Sequence, residues 1–306
     1  MQIQEFRSNG KLLLTGEYLV LKGAKALALP LKPGQTLQVE PNKTDKLNWI
    51  STEKGTPFFS ASYRTNNLEI IESSDEIRGA YIQQLLREAK LLNPNFLNAG
   101  QAYKIKANIE FNKLWGLGSS STLINNLAQW AGVDAFTLNQ QISKGSGYDI
   151  ACAQQAKPLV YQLQNNKPHI ETVHFNPPFL KQLNLVYLNQ KMPTETNIGR
   201  FLKNNTVPES LIKSINLLTE AVLVCTEMSK FQRLMQEHED ILANLLQVPT
   251  VKEQHFSDFK GTLKSLGAWG GDFILSISDE SFEEQQNYFS RRGFKTILPL
   301  APLLCV

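Results

Sequence analysis

The chain is poor in the residues that build stapled or metal-bound folds. It has three cysteines in 306 residues, Cys152, Cys225 and Cys305, widely separated and without ligand spacing. An odd, dispersed set excludes a disulfide framework and fits a reducing compartment. Histidine is as scarce, at four. His169 and His174 are close, but only Glu171 stands near them as a further ligand, too few for a metal centre. No histidine lies near a glycine loop, which argues against a Ser-His-Asp hydrolase. No apolar run is long enough to span a bilayer, and the first residues, MQIQEFRSNGK, carry no apolar signal core. A cytoplasmic location without membrane contact is therefore expected. Charge of one sign is lacking too. The formal net charge is +3 with Lys and Arg dispersed, so no nucleic-acid surface is expected, while small anionic ligands stay compatible. There is no internal repeat and no low-complexity tail.

What is present centres on Phe111 to Ala131, FNKLWGLGSSSTLINNLAQWA, and the segment before it. From Tyr103 to Phe111 residues alternate apolar and polar, which predicts a strand with one buried face. Gly116, Leu117, Gly118, Ser119, Ser120 and Ser121 form a small-residue loop. Leu123, Ile124, Leu127, Ala128 and Ala131 then recur at helical spacing, and Gly132 can end that helix. Glycines let backbone approach a ligand, serines can cap the helix, and its first-turn N–H groups favour an anion such as a phosphate chain. A tight turn with ordinary capping fits the same residues. The loop is not a Walker A, because no Lys-Ser/Thr follows its second glycine, and it lacks the third glycine of a dinucleotide fingerprint.

Along the rest of the chain, Gln2 to Phe6 predicts a strand and Ser8-Asn9-Gly10-Lys11 a turn. Gly16-Glu17-Tyr18 separates two apolar runs. Glu17 there is either an exposed turn carboxylate or a buried one with a partner. Ala24 to Pro33 and Gln35 to Glu40 read as two strands, and Asn42 to Ser62 as a hairpin. Asp75 to Leu92 reads as a helix with Ile77, Tyr81, Leu85, Ala89 and Leu92 inward. A short helix is expected over Asp134 to Ser143. Lys144 to Asp149 forms a second flexible turn, in which Asp149 serves either as an N-cap or as a functional carboxylate. Pro158 to Leu163 and Leu183 to Leu188 read as strands, with a Pro- and Asn-rich loop and a domain boundary between them. From Pro208 to about Leu246 two helices or one broken one are expected, and Phe256 to Leu266 is expected to be helical. Gly267-Ala268-Trp269-Gly270-Gly271-Asp272 is a third glycine loop, before a strand, a helix and a closing strand. This mixed order predicts an α+β fold.

Together these loops resemble the GHMP kinase superfamily, named for galactokinase, homoserine kinase, mevalonate kinase and phosphomevalonate kinase. Its three motifs occur in order over nearly the whole chain: Gly10 to Tyr18, Gly116 to Ser121 and Gly267 to Asp272. Asp149 falls where the family keeps an aspartate. The resemblance implies an N-terminal domain like domain 2 of ribosomal protein S5, residues 1–177, and a ferredoxin-like C-terminal domain, residues 178–306. It implies ATP on Gly116, Leu117, Gly118, Ser119, Ser120 and Ser121, with Mg2+ on Ser120. It makes Lys11 and Asp149 catalytic, Lys11 lowering the carboxyl's pKa. Glu17, Tyr18, Ser146 and Thr196, with Gly267, Ala268, Gly270, Gly271 and Asp272, fall on the acceptor side. The expected partner is a small-molecule substrate, and a homodimer is compatible.

Tyr18, where mevalonate kinases have histidine, and the Gly-Gly-Asp ending of the third loop are similar to bacterial phosphomevalonate kinases. A phosphorylated acceptor would need cations, for which Lys22, Lys25, Lys144, Arg200 and Lys203 are candidates. Asn9 and Asn112 stand where the family usually has proline, and Trp269 where it has glycine. The second magnesium-ligand glutamate of mevalonate kinases is missing. Mevalonate kinase, a diphosphomevalonate decarboxylase and a non-catalytic ligand sensor of the same fold are the alternatives.

Overall fold

The computed structural model describes residues 3–98, 101–190, 201, 207–269 and 271–305. The chain forms two compact units, each assembled from separate stretches of sequence. Unit 1 comprises Met1–Lys11, Lys32–Lys113 and Leu117–Gln155. Unit 2 comprises Leu12–Leu31, Leu114–Gly116 and Ala156–Val306.

In unit 1, strands β2 (Ala26–Asn42), β3 (Lys46–Glu53), β4 (Thr56–Arg64), β5 (Ile70–Ser73) and β6 (Ala102–Ile109) lie in the order β5-β4-β3-β6-β2, with β1 (Gln4–Leu13) also on β2. All of the registered pairs there are antiparallel except β3 with β6. The alternation of β6 places Ile105, Ala107 and Ile109 inward, as its sequence predicts. Helices α1 (Glu76–Leu92), α2 (Ser119–Ala131), α3 (Ala135–Ile142) and α4 (Tyr148–Gln154) pack on the sheet. Their core joins Leu37, Trp49 and Ile105 to Leu85, Leu127, Leu138 and Ile150.

Three expectations fail here for physical reasons. The turn at Ser8 to Lys11 is instead the middle of β1, where Ser8, Gly10 and Leu12 alternate inward. Ser8 tolerates burial because its hydroxyl is bonded on both sides, to Asn125 and Asn126. The two strands expected around Pro33 are one strand of 17 residues. There Gly34 lets β1 approach, since a Cβ would lie 3.1 Å from the Ser8 carbonyl carbon. Helix α1 buries Ile82, Leu85, Leu86 and Ala89, a face rotated from the expected one, and leaves Ile77 84% exposed.

In unit 2 the first residues of β2 pair with β7 (Leu159–Gln164), which pairs with β8 (Lys167–Thr172). A second, antiparallel sheet has the order β10 (Thr262–Ser265), β11 (Phe273–Ile277), β9 (Leu183–Tyr187), β12 (Ile297–Pro299). Helices α5 (Glu209–Leu223), α6 (Met228–Leu246), α7 (Val251–His255) and α8 (Phe282–Ser290) complete the unit. β8 was hidden in the Asn- and Pro-rich segment. Its signal is Asn165-Asn166, both at positive φ, 51° and 60°, the geometry of a tight hairpin turn. The helix expected over Phe256 to Leu266 is instead a turn followed by β10, all four residues of which are buried. Among the described residues, no helix is long and apolar enough to cross a membrane.

Candidate active site

In unit 1 the glycine loop meets the end of β1. The Lys11 backbone N–H donates to the Leu117 carbonyl at 3.0 Å. Gly118, at φ 96°, opens α2 without any side-chain cap, and Gly132 closes it at φ 65°. The expected serine cap is not made. Ser121 and Thr122 instead donate back to the Gly118 carbonyl, at 3.0 and 2.9 Å. The first turn therefore presents its N–H groups uncapped, with no acidic side chain beside them. A side chain on Gly118 would be strained at that φ, and its Cβ would lie 2.8 Å from Lys11 Cγ. Ser119 is partly exposed and Ser120 exposed. Ser120 Oγ is 2.6 Å from the Tyr81 hydroxyl of α1, a contact with no motif to announce it.

Asp149 lies in the first turn of α4, behind Gly147 at φ 88°, and so is not the N-cap. Its carboxylate accepts from the Ile150 N–H at 3.0 Å and is half-buried. Burial raises its pKa above the usual value, while the Lys11 charge pulls it down and does not prevail. The lowered value implied by the resemblance is thus reversed in sign. Lys11 Nζ lies 5.5 Å from the centre of the Tyr148 ring. Burial pushes the Tyr148 phenol up to about 12, so it stays neutral. Ser146 lies at the same turn, its Oγ 3.5 Å from the Tyr148 N–H.

Unit 2 holds the other motif residues. Gly116, at φ 66°, faces the Asp272 carboxylate so closely that a Cβ would sit 2.6 Å from Asp272 Cγ. Asp272 is itself at φ 55° and is held by its N–H to the Gln190 carbonyl, 2.7 Å. Gly267 turns at φ 65° and Gly271 is buried. Tyr18 donates its hydroxyl to the Ala268 carbonyl at 2.7 Å, joining the first motif to the third. Trp269 adopts φ 53° and is buried with Tyr18, Leu19, Ile215 and Leu242. Thr196, Gly270, Arg200 and Lys203 lie outside the described residues. Lys25 is paired with Glu220 at 2.5 Å, while Lys22 and Lys144 are exposed.

Glu17 is the largest surprise. It is 1% exposed, and its carboxylate lies 2.5 Å from Lys264 Nζ, itself fully buried. Its other oxygen is 3.3 Å from His238 Nε2. That nitrogen accepts from the Gly16 N–H at 2.9 Å, so the imidazole is neutral there. Burial, and then Lys264, hold the His238 pKa well below its usual value, which agrees. Glu239 accepts twice from Ser265, beside the same lysine. Lys264 and His238 carry no local signal, because each meets Glu17 only through the fold.

No family model matches the sequence, and no curated protein matches it. Solved structures do. Mevalonate kinase from Methanococcus jannaschii superimposes with a TM-score of 0.71 at 16% identity, covering 97% of both chains. Streptococcus pneumoniae phosphomevalonate kinase, solved with phosphomevalonate and AMPPNP, gives 0.67 at 15% identity over 97% of this chain and 99% of that one. Lactococcus lactis galactokinase, solved with galactose, gives 0.67 at 14% identity over 100% and 94%. The chain has the two-domain GHMP kinase fold. The α+β class expected from the element order is the observed one.

Proposed function

We propose that the protein is an ATP-dependent kinase of the GHMP type that phosphorylates a small-molecule hydroxyl or phosphate. Phosphomevalonate is our first choice of acceptor and mevalonate the second. The observation that carries this reading is the uncapped start of α2 behind Gly118, with Lys11 on the adjoining strand and Asp149 in the same unit. The uncapped start of this 13-residue helix is suited to an anion, and Gly118, with no side chain of its own, lets Lys11 lie close beside it. Leu117 is buried, so it would contribute backbone to the phosphates.

Phosphoryl transfer needs positioning and charge neutralisation more than covalent help. Lys11 would neutralise charge on the transferred group. Asp149 would accept or orient the acceptor's proton, and its raised pKa brings it nearer to working pH as a base. Among the described residues, no group of three or more His, Cys, Asp or Glu is placed to hold a metal. The exposed Ser120 hydroxyl fits a magnesium ion that keeps most of its water and phosphate ligands. Mg2+ there would supply charge neutralisation between phosphates.

On the acceptor side, Gly267, Ala268, Gly271 and Asp272 shape the third loop, and Tyr18 braces it. Ser146 would meet the acceptor from the turn before Asp149. Thr196 and Gly270 keep that role on resemblance alone. We read Glu17 differently, as an internal strut and not an acceptor ligand, because its carboxylate is enclosed with Lys264.

The test is ADP release with Mg-ATP on phosphomevalonate, mevalonate, diphosphomevalonate, galactose and homoserine, with Asp149→Asn as control. Turnover of one acceptor that depends on Asp149 supports the kinase and names its substrate. Bound ATP with no turnover of any acceptor would favour a ligand sensor of the same fold. Carbon dioxide released with ADP would point to a decarboxylase.

A further inference from the structure

A set of uncharged polar side chains runs through unit 1 between β1, α2 and α4. Asn9 Nδ2 donates 2.8 Å to the carbonyl of Gln155, the residue that caps the end of α4. Gln154 Nε2 donates 3.1 Å to Asn125 Oδ1 on α2. Asn125 Nδ2 donates 2.8 Å to Ser8 Oγ on β1, and Ser8 Oγ donates 2.7 Å to Asn126 Oδ1. Asn126 Nδ2 then reaches the Gln35 carbonyl of β2 at 2.9 Å. Ser8, Asn125 and Asn126 are each 1% exposed or less, so the bonds among them and to Gln35 are made away from competing water, while the two bonds to α4 are part-buried.

From this we infer that Asn9 and Asn125 are positioning residues, which fix the short helix carrying Asp149 against the strand carrying Lys11. Asn9 and Lys11 are two residues apart on β1 and share one face of it. That face holds α4 at both ends. Lys11 lies over Tyr148 at the start of the helix, and Asn9 bonds Gln155 at its close. The helix has seven residues, far below the roughly 12–15 at which an isolated helix becomes even marginal. Its placement must therefore come from tertiary contacts. Asn9 occupies a position where the family resemblance leads one to expect proline. Proline has no side-chain donor, so this bond to α4 is one that the usual residue could not make.

The inference rests on the kinase reading only where turnover is measured. Its main test needs no substrate: the titration of the Asp149 carboxyl, followed by carbon-13 NMR in the free protein. Lys11 from β1 and Tyr148 from α4 itself are the titratable groups that face it. In Asn9→Leu the helix end is released, which changes both the burial of Asp149 and its distance from Lys11, so the Asp149 midpoint should move by about half a pH unit or more. Gln154→Met, at an exposed position, should shift it the same way by less. Turnover should fall about tenfold in Asn9→Leu with nucleotide affinity unchanged, since small misplacements of a reacting group are costly. An unmoved titration and wild-type turnover in folded Asn9→Leu would overturn the inference. Should that variant not fold, an unmoved titration in Gln154→Met would do the same. Wild-type turnover by Asp149→Asn would instead remove Asp149 from its catalytic role, and no turnover by the wild type would sink the kinase reading, in either case leaving the titration to decide on the positioning role.

Discussion

Two lysine–carboxylate arrangements look alike in the sequence and differ in the structure. Glu17 directly follows Gly16, and Asp149 lies two residues after Gly147; both glycines turn at positive φ. Glu17 is sealed in unit 2, with Lys264 at 2.5 Å and both groups at 1% exposure or less. Asp149 is half-buried in unit 1, and Lys11 acts on it without overcoming the effect of burial. The first arrangement encloses Glu17 and Lys264 away from solvent, with Glu239 beside the same lysine, which suits a structural role. The second keeps a partly exposed carboxylate whose pKa is raised, which suits a reacting group. A carboxylate after a glycine turn is therefore not a functional signal until its surroundings are known.

The comparison can be broken at either end. Asp149→Asn should lower turnover by roughly 10²–10⁴-fold with nucleotide affinity and unfolding midpoint nearly unchanged. Calorimetric binding and urea titration check the last two, and a large loss of stability would put Asp149 in the same structural class as Glu17. Lys264→Met should do the reverse. It strands the buried Glu17 charge and should cost about 3–5 kcal/mol of stability by urea denaturation. Adding Glu17→Gln should recover part of that loss, and no recovery would mean the two residues are not coupled.

His238 sharpens the picture of the sealed site through pH. Its folded-state pKa is depressed by burial, so it stays neutral where the unfolded chain binds a proton. Stability tied to it is complete above the unfolded value near ~6.5 and falls as pH drops below that, by up to about 1.4 kcal/mol per pH unit, until the folded value is reached. His238→Gln should flatten that part of the curve relative to wild type, and identical slopes would show that the imidazole is not held neutral. The smallest effect belongs to a third pair, Arg7 with Glu110, whose side chains are 45% and 34% exposed. Arg7 and the Gly34 N–H hold the Glu110 pKa low, yet Glu110→Gln should cost less than about 1 kcal/mol by urea denaturation, because water screens the charge. A cost near that of Lys264→Met would remove burial as the explanation of the difference.

Much of this was legible from local chemistry. The glycine turns before α2 and α4 and the alternation of β6 each depend on neighbours in sequence. The failures share a different cause. Asn9-Gly10 reads as a turn until Ser8 finds Asn125 and Asn126 across more than a hundred residues. Thr262 to Ser265 reads as part of a helix until β11 supplies its partner strand. Lys264 carries no signal of its own until it meets Glu17, 247 residues away. The polar residues of α2 that face inward break its apolar stripe, and only their partners explain them.

Trp269 has one more consequence. Its indole is 6% exposed in a left-handed turn of the third loop, and its Nε1 has no acceptor among the described residues. An indole enclosed in this way emits at short wavelength, and its emission moves when a polar group or water reaches it. The third loop thus contains its own optical reporter. The difference in fluorescence between wild type and Trp269→Phe would let ligand arrival there be followed in real time, without a label and before any reaction product is known.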